Sequence, residues 1–436
     1  MANETYTLIQ KTTLNASAAS ITFSSIPQTF TDLKVVLSAR DVSVTYSSLY
    51  IAINGTAVTS LRKVLGNGSS ASSGTDYVGL IDGTASTASV FGNADIYIPN
   101  YTSSNYKSLS IDMVTENNAT GAHQFLTAAI SPATAAISTL AFTCDGSFEK
   151  YTSVSLYGVA KQGVNPVAGP KASGGDIITN DGTYWIHQFL NSGTFTPSQT
   201  LSTEYLVVAG GGGGGCTSGG GGGAGGYRTA SGYSLTGSSS YTVTIGAGGA
   251  GSTNNGARGV NGSDSLLNSI TSAGGGGGGS ASVGFRTGLA GGSGGGGAGQ
   301  TATSEAGGTA TPSGQGNAGG ANSASAAFGA GGGGGAGAVG GAGTTTVSGA
   351  GGAGSASSIT GTSVTRGGGG GGAETGSGAT AGAGGSGGGG YGSSTATNPP
   401  ATGTLNTGGG GGASHNSGVC PAAAGGSGIV IIRYAI

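Results

Sequence analysis

The sequence predicts an all-β protein in three parts: a jelly-roll-like β-sandwich over residues 1–165, a linker and small β connector over 166–204, and a glycine-rich domain over 205–436. In the last part polyglycine helices are expected to bundle between two closing strands. Three observations carry this reading. Short stretches of period-two alternation recur through the first 165 residues, with no 3.6-residue stripe among them. Only 16 of the 100 glycines precede residue 201, whereas of 14 basic and 16 acidic residues just eight follow Glu204 and the last lysine is Lys171. The glycine-rich part begins on "EYLVVAG" and finishes on "GSGIVIIRYAI", two apolar strand signals.

In the first part the alternating segments include "TYTLIQKTTL", "DLKVVLSAR", "SLYIAIN", "ADIYIPNY", "KSLSIDMVTE", "QFLTAAI" and "SVSLYGVAK". Turn material such as "INGT", "IDGT" and "ENNATG" separates them. About ten short strands each have one apolar face to bury, and two stacked antiparallel sheets satisfy them all. "SPATAAISTL" reads as a loop entering a strand, because its proline precedes β-branched residues.

The connector follows a Pro/Gly linker, "KQGVNPVAGPKASGG". "NDGT" and "NSGT" are hairpin signals, so a three- or four-stranded unit is expected with Trp185, Phe189 and Phe195 in its core. Trp185 and His187 share a strand face at spacing i, i+2. A core tryptophan beside a partly exposed histidine is favoured there over a carbohydrate-stacking platform.

A Gly/Ser chain can be a flexible coil, since glycine has the largest backbone entropy to lose. A pure linker has no reason to carry apolar strands at both ends and inserts such as "SYTVTIGAGG" and "DSLLNSITSAGG" within. Collagen is excluded by the absence of a strict G-X-Y period. The remaining solution is an extended helix of three residues per turn, whose outward N–H and C=O groups bond laterally to neighbouring rods. Residues 210–215 are the expected first rod and 219–226 the second, turning at "CTS", and Tyr227 opens the first long loop. Large side chains are confined to the joins, so Tyr227, Arg228, Tyr233, Phe285, Arg286, Phe328 and Tyr391 are the candidate binding residues. Capping of rod edges is the competing role for each.

Several function classes are disfavoured. A net charge of −2 gives no attraction to nucleic acid, and no apolar run is long enough for membrane insertion. At this glycine content G-x-G-x-x-G arises by composition, and G-K-[ST] does not occur in the glycine-rich part. G-x-S-x-G at 291–295 and 384–388 follows no strand. His123, His187 and His415 lack ligand spacing, and Asp41, Asp76, Asp82, Asp95 and Asp112 read as ordinary strand-end or turn residues. Cys144, Cys216 and Cys420 are odd in number and widely spaced, and read as small buried thiols. No catalytic residue, metal or cofactor is expected, and the chain is read as not an enzyme.

"SSIPQTFTDLKVVLSAR", "NADIYIPNYTSSNYKSLSIDMVTE" and "GSFEKYTSVSLYGVAK" together resemble the β-domain at the front of phage virion and tail-fibre-type proteins. "TYWIHQFLNSGTFTPSQTLSTEYLVVAGGGGGG" resembles the glycine-rich domain of phage tail and fibre proteins. The resemblance implies a bacteriophage virion structural protein, a tail fibre or adhesin that contributes to host attachment. Its implied partners are other virion proteins, a host-surface saccharide or protein, and further copies of itself, with a trimer expected; its implied location is the virion, after synthesis in the host cytoplasm. A capsid-decorating head fibre or cement protein is the alternative within virions. A cellular polyglycine-bundle protein, adhesive or ice-binding, is disfavoured because the glycine spacing here is irregular.

Overall fold

A computed structural model describes residues 6–42, 46–67, 70–84, 86–116, 122–159, 169–299, 303–323, 329–374, 380–394, 398–415 and 420–436. The chain divides into two compact units. One comprises Met1–Lys171, Asp176–Trp185 and Ile436, the other Ala172–Gly175 and Ile186–Ala435. Every regular element among the described residues is a β-strand, so the protein is all-β as its alternation predicts.

In the N-terminal unit the larger sheet runs Ile177–Asn180, Tyr6–Thr13, Ser153–Val159, Asp32–Ala39, Gly92–Ile98, Lys107–Glu116, Ala122–Ser131, Ser60–Gly66, Ala71–Gly74. A second sheet orders Ala18–Phe23, Leu140–Phe148 and Tyr46–Ile53, with Thr56–Ala57 and Gly79–Asp82 also pairing to Tyr46–Ile53. Pairing is antiparallel and places Leu33 opposite Ile98, Val35 opposite Ile96 and Leu37 opposite Ala94. All six are buried, because period-two alternation sends one face of every strand inward. Ile51 and Phe142 from the second sheet join the same apolar cluster, making a sandwich with one core. The "NG" hairpin signal is real: Asn54 and Gly55 have φ of 49° and 80°. The Asn54 side chain accepts from the amides of Ser138 and Thr139 and donates to the Ala136 carbonyl, pinning the loop that leads into Leu140–Phe148.

In the glycine-rich unit, residues 210–215 show why glycine is needed. Their amides donate in turn to Ser263, Gly426, Gly223, Val260, Ala423 and Gly220, at 2.9–3.1 Å. Successive donors thus fan out in three directions, and each direction recurs after three residues, the signature of a three-residue-per-turn extended helix. The acceptor numbers fall as the donor numbers rise, so these three neighbours are antiparallel to the run. Its carbonyls receive amides from three parallel runs, Gly275 and Gly278, Gly249 and Ser252, Gly411 and Ser414. One run is therefore surrounded by six others, with its backbone polar groups paired and no water needed. A Cβ at Gly212, Gly214 or Gly222 would collide with the carbonyl oxygens of Gly276, Gly412 and Gly212 respectively. Any other residue would force the lattice apart.

The lattice is closed at one end by strands. Leu201–Val208 pairs antiparallel with Ile429–Ala435, placing Val208 opposite Ile429 and Glu204 opposite Arg433. The turn between the first two runs falls at Cys216–Ser218, as expected, with Thr217 and Ser218 at φ of 53° and 59°. Three expectations are corrected here. Tyr227 opens not a loop but the strand Tyr227–Leu235, which pairs with Leu201–Val208 and covers an edge that would otherwise expose unpaired amides. Cys216 and Cys420 are not thiols: they form a disulfide across 204 residues, with Cα atoms 5.9 Å apart. The lateral packing of the first and last runs brings them together, which sequence spacing could not reveal. Cys144 is the buried thiol expected, and burial pushes it up to about 12, so it is unreactive at neutral pH.

His187 is the third correction, since it is fully buried rather than partly exposed. Trp185, Phe189 and Phe195 are buried as expected. His187 lies edge-on to Phe195, with centroids 5.2 Å apart, and its Nδ1 is 2.6 Å from the Gly174 carbonyl.

Candidate functional site

Because the runs alternate in direction, the joins between them collect at two ends. At the strand end lie Val208, Tyr227, Gly408 and Ile429, knitted by Ala209 N to Gly226 O, Gly225 N to Gly408 O and Tyr227 N to Gln315 O. At the turn end, Gly219 N reaches Ser414 O, Gly299 N reaches Ser218 O, Ala373 N reaches Gly219 O, and the disulfide joins Cys216 to Cys420. Cys216 N also donates to Ser280 Oγ at 2.9 Å. Here glycine gives way to Ala298, Ala330, Ala373, Ala413, Ser280 and Ser414, all buried. Runs can spread once the turns begin, and small side chains fill the space.

Phe285 and Arg286 sit at the turn end, in the join that starts at Ser280. Ser280 N donates to Phe285 O, and Ala298 N to Arg286 O. Phe285 is 38 % exposed, with the Arg258 guanidinium 5.7 Å from its ring centroid. Arg258 is fixed by Nε to Thr287 O at 2.7 Å and Nη2 to Gly284 O at 2.8 Å. Arg286 donates from Nε to Ala281 O at 2.8 Å, and its Nη1 lies 3.9 Å from Glu305 Oε1. Val283, at the tip of the same turn, is 80 % exposed. The result is an aromatic ring and an aliphatic side chain offered to solvent, flanked by two arginines whose rotamers are held by backbone carbonyls. Preorganised anchors of this kind lose little entropy on binding.

The other candidates are elsewhere. Tyr227, Arg228 and Tyr233 occupy one strand at the strand end. Tyr233 packs edge-on to Tyr205 at 5.6 Å and accepts from Asn268 Nδ2, and Arg228 donates to Thr271 O, so these two brace the sheet. Burial pushes the Tyr227 phenol above its ordinary value. Tyr391 is 47 % exposed, on a run rather than in a join, with its carbonyl bonded to Ala401 N. Phe328 lies outside the described residues; its described flanks, Ser323 and Gly329, bond to each other. The six described residues therefore do not form one surface. Phe285 and Arg286 are joined by Arg258 and Val283, which sequence reading missed. The signal was present, since Arg258 is one of very few charges in the region.

Three of the acids set aside as catalytic pairs have partners that account for them, while Asp82 accepts from Ser86 Oγ and the Glu116 amide through Oδ1 and keeps Oδ2 buried without a partner. Asp41 accepts from Ser47 Oγ, Asp76 pairs with Lys63 at 2.6 Å and Asp95 with Lys34 at 2.7 Å. Ser293 of the first G-x-S-x-G is fully buried in the lattice. Among the described residues no group of three or more His, Cys, Asp or Glu is placed to hold a metal, and no helix is long and apolar enough to cross a membrane.

A search of curated proteins finds no match to the chain. A family profile described as "Glycine-rich domain" matches residues 190–435, more than half of the sequence and nearly all of the run lattice with its closing strands. The chain accordingly belongs to the glycine-rich domain family.

Proposed function

We propose that this protein is a bacteriophage virion structural protein, a fibre or adhesin whose turn end contacts the host surface, and that it is not an enzyme. One observation carries the reading: the lattice devotes its interior to backbone bonding and offers Phe285, Val283 and Arg258 to solvent together at the turn end. Turns on a rigid scaffold can change side chains without disturbing the scaffold, which suits a surface that must follow a variable receptor. The sequence resemblance of both parts to virion proteins supports the same reading. The partner is a host-surface saccharide or protein, met by aromatic and guanidinium contacts; the N-terminal sandwich attaches to other virion proteins, and the assembly is a homo-oligomer, a trimer by analogy with fibres.

Immunogold labelling of purified particles tests this. Label at the tail is expected; label on the head replaces the adhesin with a capsid-decorating protein, and particles free of label defeat both.

A further inference from the structure

Two neighbouring joins at the turn end are fastened into one surface. Ser282–Phe285 is a turn closed by Phe285 N donating to Ser282 O at 3.0 Å, with Gly284 at a φ of 87°, the left-handed position that a type II turn gives to glycine. Ser282 N donates to Asn255 O in the join that follows Ser252, and Arg258 reaches back from that join to Gly284 and Thr287. The Ser252 join is braced from within. Ser252 Oγ lies 2.6 Å and 2.7 Å from the carbonyls of Asn254 and Ala257, and Gly256 N donates to Asn254 Oδ1. Val283, Phe285, Asn254 and Asn255 are all exposed, so they meet solvent on one braced patch.

Several polar groups of this patch are uncommitted. Arg258 donates from Nε to Thr287 O and from Nη2 to Gly284 O and Thr287 Oγ1, while its Nη1 is open to solvent with no acceptor among the described residues. The Asn255 side-chain amide and Asn254 Nδ2 have no partner among the described residues either. The charge around them is positive. From residue 205 onward five arginines stand against three acids, in a chain whose net charge is −2. Arg433 is paired with Glu204, Arg366 is buried and Arg228 lies at the strand end, so the turn end is left with Arg258 and Arg286. Glu305 faces Arg286, and Glu374 is buried. An approaching anion thus meets Arg258 without an opposing carboxylate.

We propose that this patch binds an anionic saccharide, one whose sugar rings carry a carboxylate or a phosphate. The inference rests on the adhesin reading above and names the chemistry of the receptor. An apolar sugar face fits the exposed part of the Phe285 ring, and sugar hydroxyls fit amide groups that both donate and accept. The acid fits the N–H groups of Arg258 Nη1, because a guanidinium held in place by its other nitrogens gives a charge-assisted bond without reordering. A neutral saccharide would leave Arg258 Nη1 unused. A protein receptor is disfavoured by extent, since a stable protein interface takes about 800 Å² from each partner and the recognition groups here occupy two short joins.

The test is biolayer interferometry of the full chain on immobilised polygalacturonate, phosphomannan and dextran. Binding to a charged polymer and not to dextran is expected, weakening with added salt, and the charged polymer that binds tells carboxylate from phosphate. Arg258→Gln should reduce it at least about tenfold, while Arg228→Gln, at the strand end, should leave it unchanged. Equal binding to dextran, binding to none of the three, or full retention in Arg258→Gln overturns the site. Should Arg258→Gln fail to fold, the wild-type protein decides on neutralised ligands: methyl-esterified polygalacturonate or phosphatase-treated phosphomannan must lose binding, and retained binding overturns the site. Virions labelled at the tail without saccharide binding defeat this inference alone, whereas unlabelled virions defeat the adhesin reading whatever the saccharides show.

Discussion

The Nε2 of His187 lies 2.9 Å from the Tyr434 hydroxyl while its Nδ1 faces the Gly174 carbonyl. A carbonyl can only accept, so Nδ1 carries the proton and Nε2 of the neutral ring accepts from the phenol. His187 is thereby fixed as one neutral tautomer, and burial pushes it down to about 4 from an ordinary value near 6.5.

The sign of the pH dependence follows. Between about pH 6.5 and 4 the unfolded chain binds a proton at this position that the folded one refuses, so stability rises with pH across that window. Below it the contribution is gone. We expect up to about 3 kcal/mol from this source, measured as urea midpoints at pH 7 and pH 4. His187→Gln should remove roughly one proton from the difference; an unchanged pH slope would refute the assignment.

Glycine in the runs is required by contact rather than by backbone flexibility. Gly214→Ala and Gly222→Ala should each cost about 3 kcal/mol or more. Gly66→Ala, where an added Cβ meets nothing within 4 Å and φ is not positive, should stay within about 0.5 kcal/mol of wild type. Denaturant midpoints compare the three.

The Cys216–Cys420 bridge closes nearly the whole lattice into one covalent loop. Cys216→Ser should lower stability by about 2–5 kcal/mol, and wild-type protein under strong reductant should unfold with the same midpoint as the variant. Equal midpoints with and without reductant in the wild type would contradict a formed bridge.

At the turn end, Phe285→Ala and Arg258→Ala should each weaken binding to the host surface at least tenfold, as expected of an exposed anchor. Melting temperatures should move little, because neither side chain supports a run. Full retention of binding by both would remove this turn from the contact surface.

Much of the architecture was readable because it rests on local rules. Alternation located the sandwich strands, "NG" located a hairpin, and the apolar ends of the glycine-rich part announced the pairing of Val208 with Ile429. Errors arose where lateral packing decides. Tyr227–Leu235 carries Ser, Thr and Gly and shows no apolar face, yet it is a strand because Leu201–Val208 offers it a row of amides. Cys216 meets Cys420 only because the first and last runs are neighbours in the lattice. Of the candidate contacts, aromaticity alone selected Tyr233, which braces Tyr205, and overlooked Arg258, whose role depends on the fold of the Phe285 turn.

The six-neighbour arrangement of residues 210–215 bears on how such a chain can diverge. Adding or removing one residue in a run would rotate every later amide away from its acceptor by a third of a turn and break bonds to several other runs at once. A change of three residues would restore each amide to its former direction. Homologous lattices should therefore differ in run length by multiples of three, while the joins drift freely in both length and composition.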